Sequence, residues 1–159
     1  MSAAALVTWL VTALIGLFLL AIWLIEYDPE FQSAAATRLP VPVISAHGLL
    51  AICGLVIWGI YLITDQRRAA WAAALILIPV ALLGITMAIR WIGVYQENPG
   101  RSRTATARPA AATQASRAPT QLVVPPERHF PLPVVVSHGI FAAVTIVLVV
   151  LAALGAGTG

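Results

Sequence analysis

The chain is predicted to be an all-α membrane protein: a four-transmembrane-helix bundle built from a duplicated helical hairpin with parallel pseudo-twofold symmetry. Three observations predict this class: an extreme apolar composition, four uninterrupted apolar segments, and two sets of residues that recur at constant offsets. Of the 159 residues, 60% are hydrophobic and 9% are charged, whereas an average soluble domain carries roughly 25% charge. Since a water-facing surface needs more polar residues than this, lipid is the solvent that fits.

A membrane-spanning helix needs roughly 20 predominantly apolar residues. Four segments meet this requirement, at residues 5–25, 43–63, 71–95 and 134–154. They must be helices, because lipid offers the backbone no hydrogen-bond partners. The first segment lacks the positively charged start of a cleaved signal peptide, so we interpret it as a true span. Residues 98–121 are predicted to be a low-complexity flexible loop, and residues 1–159 to form a single membrane domain.

Two further interpretations concern aromatic residues and the single cysteine. Aromatic residues near the ends of the spans are interpreted as an interfacial belt; they are Trp9, Trp23, Tyr27, Tyr61, Trp71, Trp91 and Tyr95. Cys53 has no partner for an intrachain disulfide and is interpreted as a small buried hydrophobe.

The basic residues bear on localisation. All nine are Arg, which with abundant Ala, Val and Leu suggests a GC-rich bacterial genome and hence a multi-pass protein of the bacterial cytoplasmic (inner) membrane. They form no basic run, so nucleic acid is not an expected partner. The count of Arg residues favours a cytoplasmic location for the side on which the second and fourth spans begin, whereas their density favours the opposite side.

The duplication is indicated by Trp, Pro-x-Pro and His-Gly elements that recur at consistent spacing. The first match has an offset of 68: it pairs residues 13–16, Trp23 and Tyr27 with residues 81–84, Trp91 and Tyr95. The second match has an offset of 91: it pairs residues 40–43, His47, Gly48 and Ala51 with residues 131–134, His138, Gly139 and Ala142. Because each unit has two spans, both copies insert in the same direction, related by an axis along the membrane normal.

This arrangement predicts a site. His47 and His138 each follow the second Pro of a Pro-x-Pro element by five residues, which is roughly 7–8 Å along a helix. They therefore lie at one depth on the same side of the membrane. Arg90, the one charged residue within the spans, is expected at a similar depth. Ionisable residues inside spans are costly and usually face the bundle interior.

Small residues on the two histidine faces are expected to leave room for a flat macrocycle. They are Gly48, Ala51 and Gly54 on the second span, and Gly139, Ala142 and Thr145 on the fourth. Two neutral imidazoles across a pseudo-twofold axis are suited to be the axial ligands of one haem b iron, and Arg90 to pair with a propionate. The arrangement resembles that of di-histidine b-type cytochromes of membrane respiratory complexes, a likeness of geometry over two helices and not of family.

Several alternatives stay open. The histidines can instead make structural contacts between helices in a non-catalytic scaffold or accessory subunit, or bind a quinone or a metal with His129. Snorkelling to the interface is the alternative for Arg90. Hydrolytic motifs are absent from the sequence, so an electron carrier or accessory subunit is expected rather than an enzyme. Beyond the lipid bilayer, the expected partners are other membrane or respiratory subunits, or a second copy of the chain.

Overall fold

The computed structural model describes residues 1–27, 39–96 and 126–156. Within these ranges the chain is all-helical and has four helices long and apolar enough to cross a membrane. These are α1 (Ser2–Ile25), α2 (Val41–Thr64), α3 (Arg67–Gln96) and α4 (Leu132–Ala153), and a short 3-10 helix, Pro126–His129, precedes α4. Over the described residues, the prediction of an all-α chain with four helices long and apolar enough to span a membrane is confirmed. The predicted loop at 98–121 lies outside the described residues.

Helices α2 and α4 begin in the same way. Pro40 and Pro131 have extended backbones and precede the first helical residue of each helix. The Pro40 carbonyl accepts hydrogen bonds from the N–H groups three and four residues later, at 2.9 and 3.2 Å, and the Pro131 carbonyl does the same at 3.0 and 3.2 Å. Pro42 and Pro133 then occupy the first turn, where a missing N–H costs nothing because that donor has no partner within the helix. Each Pro-x-Pro element therefore starts a helix in the same register.

The packing order of the bundle follows from its connections. Asp65 ends α2 with a left-handed backbone (φ 52°), and its N–H donates to the carbonyl of Tyr61 at 2.8 Å. This tight turn brings α3 back against α2. The most extensive packing is between α2 and α3 and between α1 and α4. Among the pairs of spanning helices that contact each other, α1 and α2 pack least. The two helices of one predicted hairpin are therefore not each other's main partners.

The outer surface of the bundle is apolar. Large hydrophobic side chains are exposed along all four helices, including Leu14, Leu49, Ile85 and Ile140. Cys53 is exposed as well, so the interpretation of it as a buried residue is wrong: it points outward among apolar side chains. Hydroxyl groups of the helices donate to carbonyls one turn earlier, as Thr86 does to Leu82 at 2.8 Å and Ser137 to Pro133 at 2.7 Å. Such bonds leave little polar surface facing lipid.

A packed cluster fills the half of the bundle near the α2–α3 turn. Trp58 is fully buried, and its ring centroid lies 6.5 Å from that of Trp9 and 4.8 Å from that of Tyr61. Small residues of α3 line the other side of the cluster; they are Ala70, Ala73 and Ala74. This cluster therefore fills the interior at one end of the bundle, within the described residues.

The aromatic residues at the helix ends do not form a belt facing the lipid. Trp9, Trp23, Tyr61 and Trp91 are all buried, whereas Trp71 and Tyr95 are exposed. The interpretation as an interfacial belt is therefore wrong for most of these residues. Their position near the helix ends is visible in the sequence, but the direction in which each ring points depends on the rotation of its helix in the bundle.

Candidate functional site: a histidine pair between four helices

His47 projects from α2 onto α3. Its Nδ1 atom lies 3.0 Å from the carbonyl oxygen of Val80. A carbonyl only accepts hydrogen bonds, so Nδ1 carries the proton and donates it. The Nε2 atom of the neutral ring then holds the lone pair. One interhelical bond thus sets both the tautomer and the orientation of this imidazole.

His138 makes the same contact with another pair of helices. It projects from α4 onto α1, and its Nδ1 atom lies 3.1 Å from the carbonyl oxygen of Thr12. The same reasoning assigns the proton to Nδ1 and the lone pair to Nε2. Thr12 lies near the middle of α1, which puts this imidazole deep within the bundle.

A glycine in the neighbouring helix leaves room for each imidazole to reach its carbonyl. Gly84 follows Val80 by one helical turn, and a Cβ atom built on it would lie 3.2 Å from Cε1 of His47. Gly16 follows Thr12 by the same interval, and a Cβ atom on it would lie 3.0 Å from Cε1 of His138. Both distances are tighter than ordinary van der Waals contact. Each imidazole therefore reaches its carbonyl by lying over the bare Cα of a glycine.

The two imidazoles meet between the four helices. Their ring centroids are 6.3 Å apart, and their planes are inclined by 57°. An imidazole nitrogen binds a metal at about 2 Å and lies about 1 Å from its own ring centroid, so two imidazoles on opposite sides of one metal ion have centroids about 6 Å apart. The spacing of His47 and His138 is therefore compatible with a shared metal centre.

The histidines, their carbonyl acceptors and the adjacent glycines all occur twice, at the same two offsets that relate the matching residues in the sequence. The histidines differ by 91 positions, while the acceptors Thr12 and Val80 differ by 68, as do Gly16 and Gly84. Sequence reasoning found the histidines and matched the two glycines as part of the repeat, but it assigned those glycines no contact with the rings. Their role depends on which helix packs against which.

The predicted small residues beside the histidines have different surroundings. Gly48 and Gly139 have open space around the position of a Cβ atom, with no atom within 4 Å. Ala51 and Ala142 are half-buried. The space next to Gly54 is filled by Trp9, whose ring carbons lie 3.0 and 3.1 Å from a Cβ built there. Open space at a Cβ position is therefore found at Gly48, which is half-buried, and at Gly139, which is exposed, but not at Gly54.

Thr145 is buried and polar. Its hydroxyl donates to the carbonyl of Phe141 at 2.8 Å and lies 3.5 Å from the hydroxyl of Thr12, whose own carbonyl accepts from His138. This residue therefore contacts the support of one imidazole, an asymmetric feature because Gly54 stands at the corresponding position of α2.

Arg90 and His129 lie away from the ring pair. Arg90 is exposed and follows Gly84 by six residues, which is about 9 Å along α3. It therefore lies nearer the membrane surface than the imidazoles. His129 pairs with Glu26, with Nδ1 and a carboxylate oxygen 3.8 Å apart. Among the described residues no group of three or more His, Cys, Asp or Glu side chains could hold a metal ion, so the alternative of a metal site that joins His129 to the pair has no support.

Trp23 and Trp91 lie at the same end of the bundle, and sequence analysis interpreted them as repeat markers and as part of an interfacial belt. Trp23 and Trp91 are 4% and 6% exposed, and their rings pack against Tyr27 and Tyr95 with centroids 4.7 and 5.2 Å apart. Within the described ranges neither indole Nε1 has a hydrogen-bond acceptor. The matched positions of the two Trp residues in the repeat were the signal in the sequence that could have drawn attention to them. The burial of their N–H groups could not be predicted from the sequence.

The fold and the histidine pair define a multi-pass α-helical membrane protein with two imidazoles anchored between its helices. Comparison with known protein families, with curated proteins and with solved structures finds no match. The chemistry of the pair is therefore the basis for a functional proposal.

Proposed function

We propose that the protein holds one haem b between α2 and α4, with His47 and His138 as axial ligands, and transfers electrons alone or as a subunit of a redox complex in a bacterial cytoplasmic membrane. The observation that carries the proposal is the 6.3 Å spacing of two rings that both use Nδ1 to bind a backbone carbonyl. Haem would supply a one-electron carrier in this part of the membrane.

The tautomer supports this proposal. Histidines that ligate metals almost always donate their other ring N–H to a carbonyl, a carboxylate or water, which orients the ring and raises its basicity as a ligand. His47 and His138 have this arrangement, with Nε2 left to act as the ligand. A chance pair of core histidines has no need to share one tautomer.

The recurring contacts also support an origin by duplication. We propose that α1 and α2 form one copy and α3 and α4 the other, related by a pseudo-twofold axis along the membrane normal. Under that relation the contact of His47 with Val80 maps onto the contact of His138 with Thr12. The axis would then pass between the two imidazoles, where a single shared ligand belongs.

The same hydrogen bonds favour the second candidate, a non-catalytic scaffold or accessory subunit. Each imidazole already joins two helices, and such bonds inside membranes contribute about 0.6 kcal/mol on average. In that case the histidines stabilise the bundle and bind no cofactor. The two candidates differ in whether Nε2 has a ligand.

A visible spectrum separates the two candidates. The full chain, purified from haem-replete cells, is expected to show a sharp α-band in the reduced-minus-oxidised difference spectrum. His47→Asn and His138→Asn should each abolish the band, because the amide retains a donor near the position of Nδ1 but offers no imidazole ligand. His129→Asn is the matched control and should leave the band unchanged. A colourless wild-type protein, or a band that survives in both pair variants, would contradict haem binding.

A further inference from the structure

We propose that Trp23 and Trp91 form a carboxylate-binding layer that holds the two propionates of the porphyrin. This inference rests on the proposed haem site and adds the direction in which the ligand's carboxylates lie. It starts from two buried indole N–H groups that have no acceptor within the described residues. A buried unpaired donor costs roughly 1–3 kcal/mol, and such groups are rare unless a ligand or water completes them.

The two indoles lie on the faces that hold the imidazoles. Trp23 follows Gly16 by seven residues and Trp91 follows Gly84 by seven, and two helical turns bring a side chain back to nearly the same face. Seven residues span about 10 Å along the helix. The indoles therefore form a second layer, beyond the imidazoles and toward the starts of α2 and α4.

Two helix starts and one carboxylate determine the charge of this layer. Pro40 and Pro131 cap α2 and α4 without a side-chain hydrogen bond, so the positive ends of two helix dipoles lie at about this level. The layer also contains Glu127 of the 3-10 helix, which is fully buried. Each helix start carries roughly half an elementary charge, so the two helix starts together about balance this one carboxylate. The two indole N–H groups are then the donors available to a further anion.

The number of donors matches the ligand. Protohaem carries two propionates on one edge of its ring, and the layer offers one indole N–H from each half of the bundle. A macrocycle ligated by His47 and His138 and oriented with its propionate edge toward this layer would place a carboxylate near each indole. Charge-assisted hydrogen bonds of this kind are stronger than neutral ones. The opposite edge would face the Trp58 cluster, which is apolar and packed.

The third buried indole without an acceptor provides a matched control. Trp58 is fully buried and its Nε1 also has no acceptor within the described ranges, but it belongs to the cluster at the other end of the bundle. Replacement of a Trp by Phe removes the N–H and keeps an aromatic ring. The Trp58→Phe variant therefore reports the general cost of such a change away from the proposed layer.

The test compares iron protoporphyrin IX with its dimethyl ester, which lacks both carboxylates. Each is titrated into the full chain purified without haem. The wild-type protein should prefer the free acid, and the preference should fall by about tenfold in the Trp23→Phe/Trp91→Phe double variant. It should be unchanged in Trp58→Phe. An unchanged preference in the double variant, with normal His ligation in the wild type, overturns the carboxylate layer alone. If the wild type binds neither porphyrin, the proposed function fails and this inference fails with it.

A second measurement needs no variant and so does not depend on correct folding of one. Ultraviolet resonance Raman spectra of the wild-type protein, recorded with each porphyrin bound, report the hydrogen bonding of its five Trp residues. Binding of the free acid should strengthen the hydrogen bonding of two indole N–H groups more than binding of the ester does. Identical indole spectra in the two complexes would overturn the inference.

Discussion

At the scale of single residues, the site depends on contacts between each imidazole and the backbone of a neighbouring helix. Each imidazole requires a carbonyl that accepts its Nδ1 proton and a glycine one turn later that leaves the carbonyl accessible. The carbonyl already serves its own helix, so the histidine adds a second hydrogen bond to it. The arrangement is sensitive to one methyl group, because a Cβ atom added at Gly16 or Gly84 would lie only 3.0 or 3.2 Å from an imidazole carbon.

Gly16→Ala and Gly84→Ala are expected to destabilise the protein by about 1–3 kcal/mol, the usual cost of overpacking. The added Cβ pushes the imidazole away and breaks its bond to Thr12 or Val80. Gly16→Ala should be the more damaging change, since its contact is the shorter one. Reversible unfolding in mixed detergent measures the free energy of unfolding, and the spectrum of the proposed haem should weaken in parallel.

Gly48→Ala and Gly139→Ala serve as controls for this prediction. They are also helical glycines, each next to a histidine in the sequence, but a Cβ atom built on either meets no atom within 4 Å. Since Ala is favoured over Gly in a helix by about 1 kcal/mol, these variants should be neutral or slightly more stable. Equal destabilisation in all four variants would contradict the proposed role of Gly16 and Gly84.

At the scale of helices, sequence hydropathy predicts that each segment spans the membrane but not its rotation. Hydrophobic side chains occur all around these helices, so the sequence pattern marks no clear inner face. Small residues and close contacts decide the rotation instead. The contact of Trp9 with Gly54 is an example, because it connects α1 to α2, the neighbours with the least extensive packing.

Gly54→Ala is expected to weaken the contact of α1 with α2 by about 1–3 kcal/mol. The new Cβ would lie 3.0 Å from Trp9 and 3.3 Å from Ile76, so two helices would have to move. Gly59→Ala is the matched control on the same helix, where a Cβ meets no atom within 4 Å. The measurement is again the free energy of unfolding, and a Gly54 variant as stable as the Gly59 variant would refute the expectation.

At the scale of the whole molecule, four spans place the start of α1, the α2–α3 turn and the end of α4 on one side of the membrane. The starts of α2 and α4 and the short 3-10 helix lie on the other side. The proposed haem edge and its carboxylate layer belong to that second side. A partner that exchanges electrons through the propionate edge would approach from there.

This topology predicts the labelling of single cysteines. In a Cys53→Ser background, Ser2→Cys and Gln66→Cys should react with a membrane-impermeant thiol reagent from the same side, and His129→Cys only from the other. Labelling in intact cells and in inverted vesicles also decides which side faces the cytoplasm, because each preparation exposes a different side to the reagent. The distribution of Arg residues does not decide this. Reaction of Gln66→Cys and His129→Cys from one side would contradict four spans.

The sequence by itself determined the membrane class, the four spans, and the correspondence of His47 with His138. The first two follow from local properties, because a run of about 20 apolar residues has one stable conformation in lipid. The third follows from matching letters, which predict a repeat. Only the tertiary structure decided that α2 packs on α3 and α4 on α1, that glycines of the neighbouring helices expose the carbonyls, and that Trp23 and Trp91 are buried. These features depend on helix rotation and on contacts between distant residues, which a nearly uniform apolar sequence does not specify.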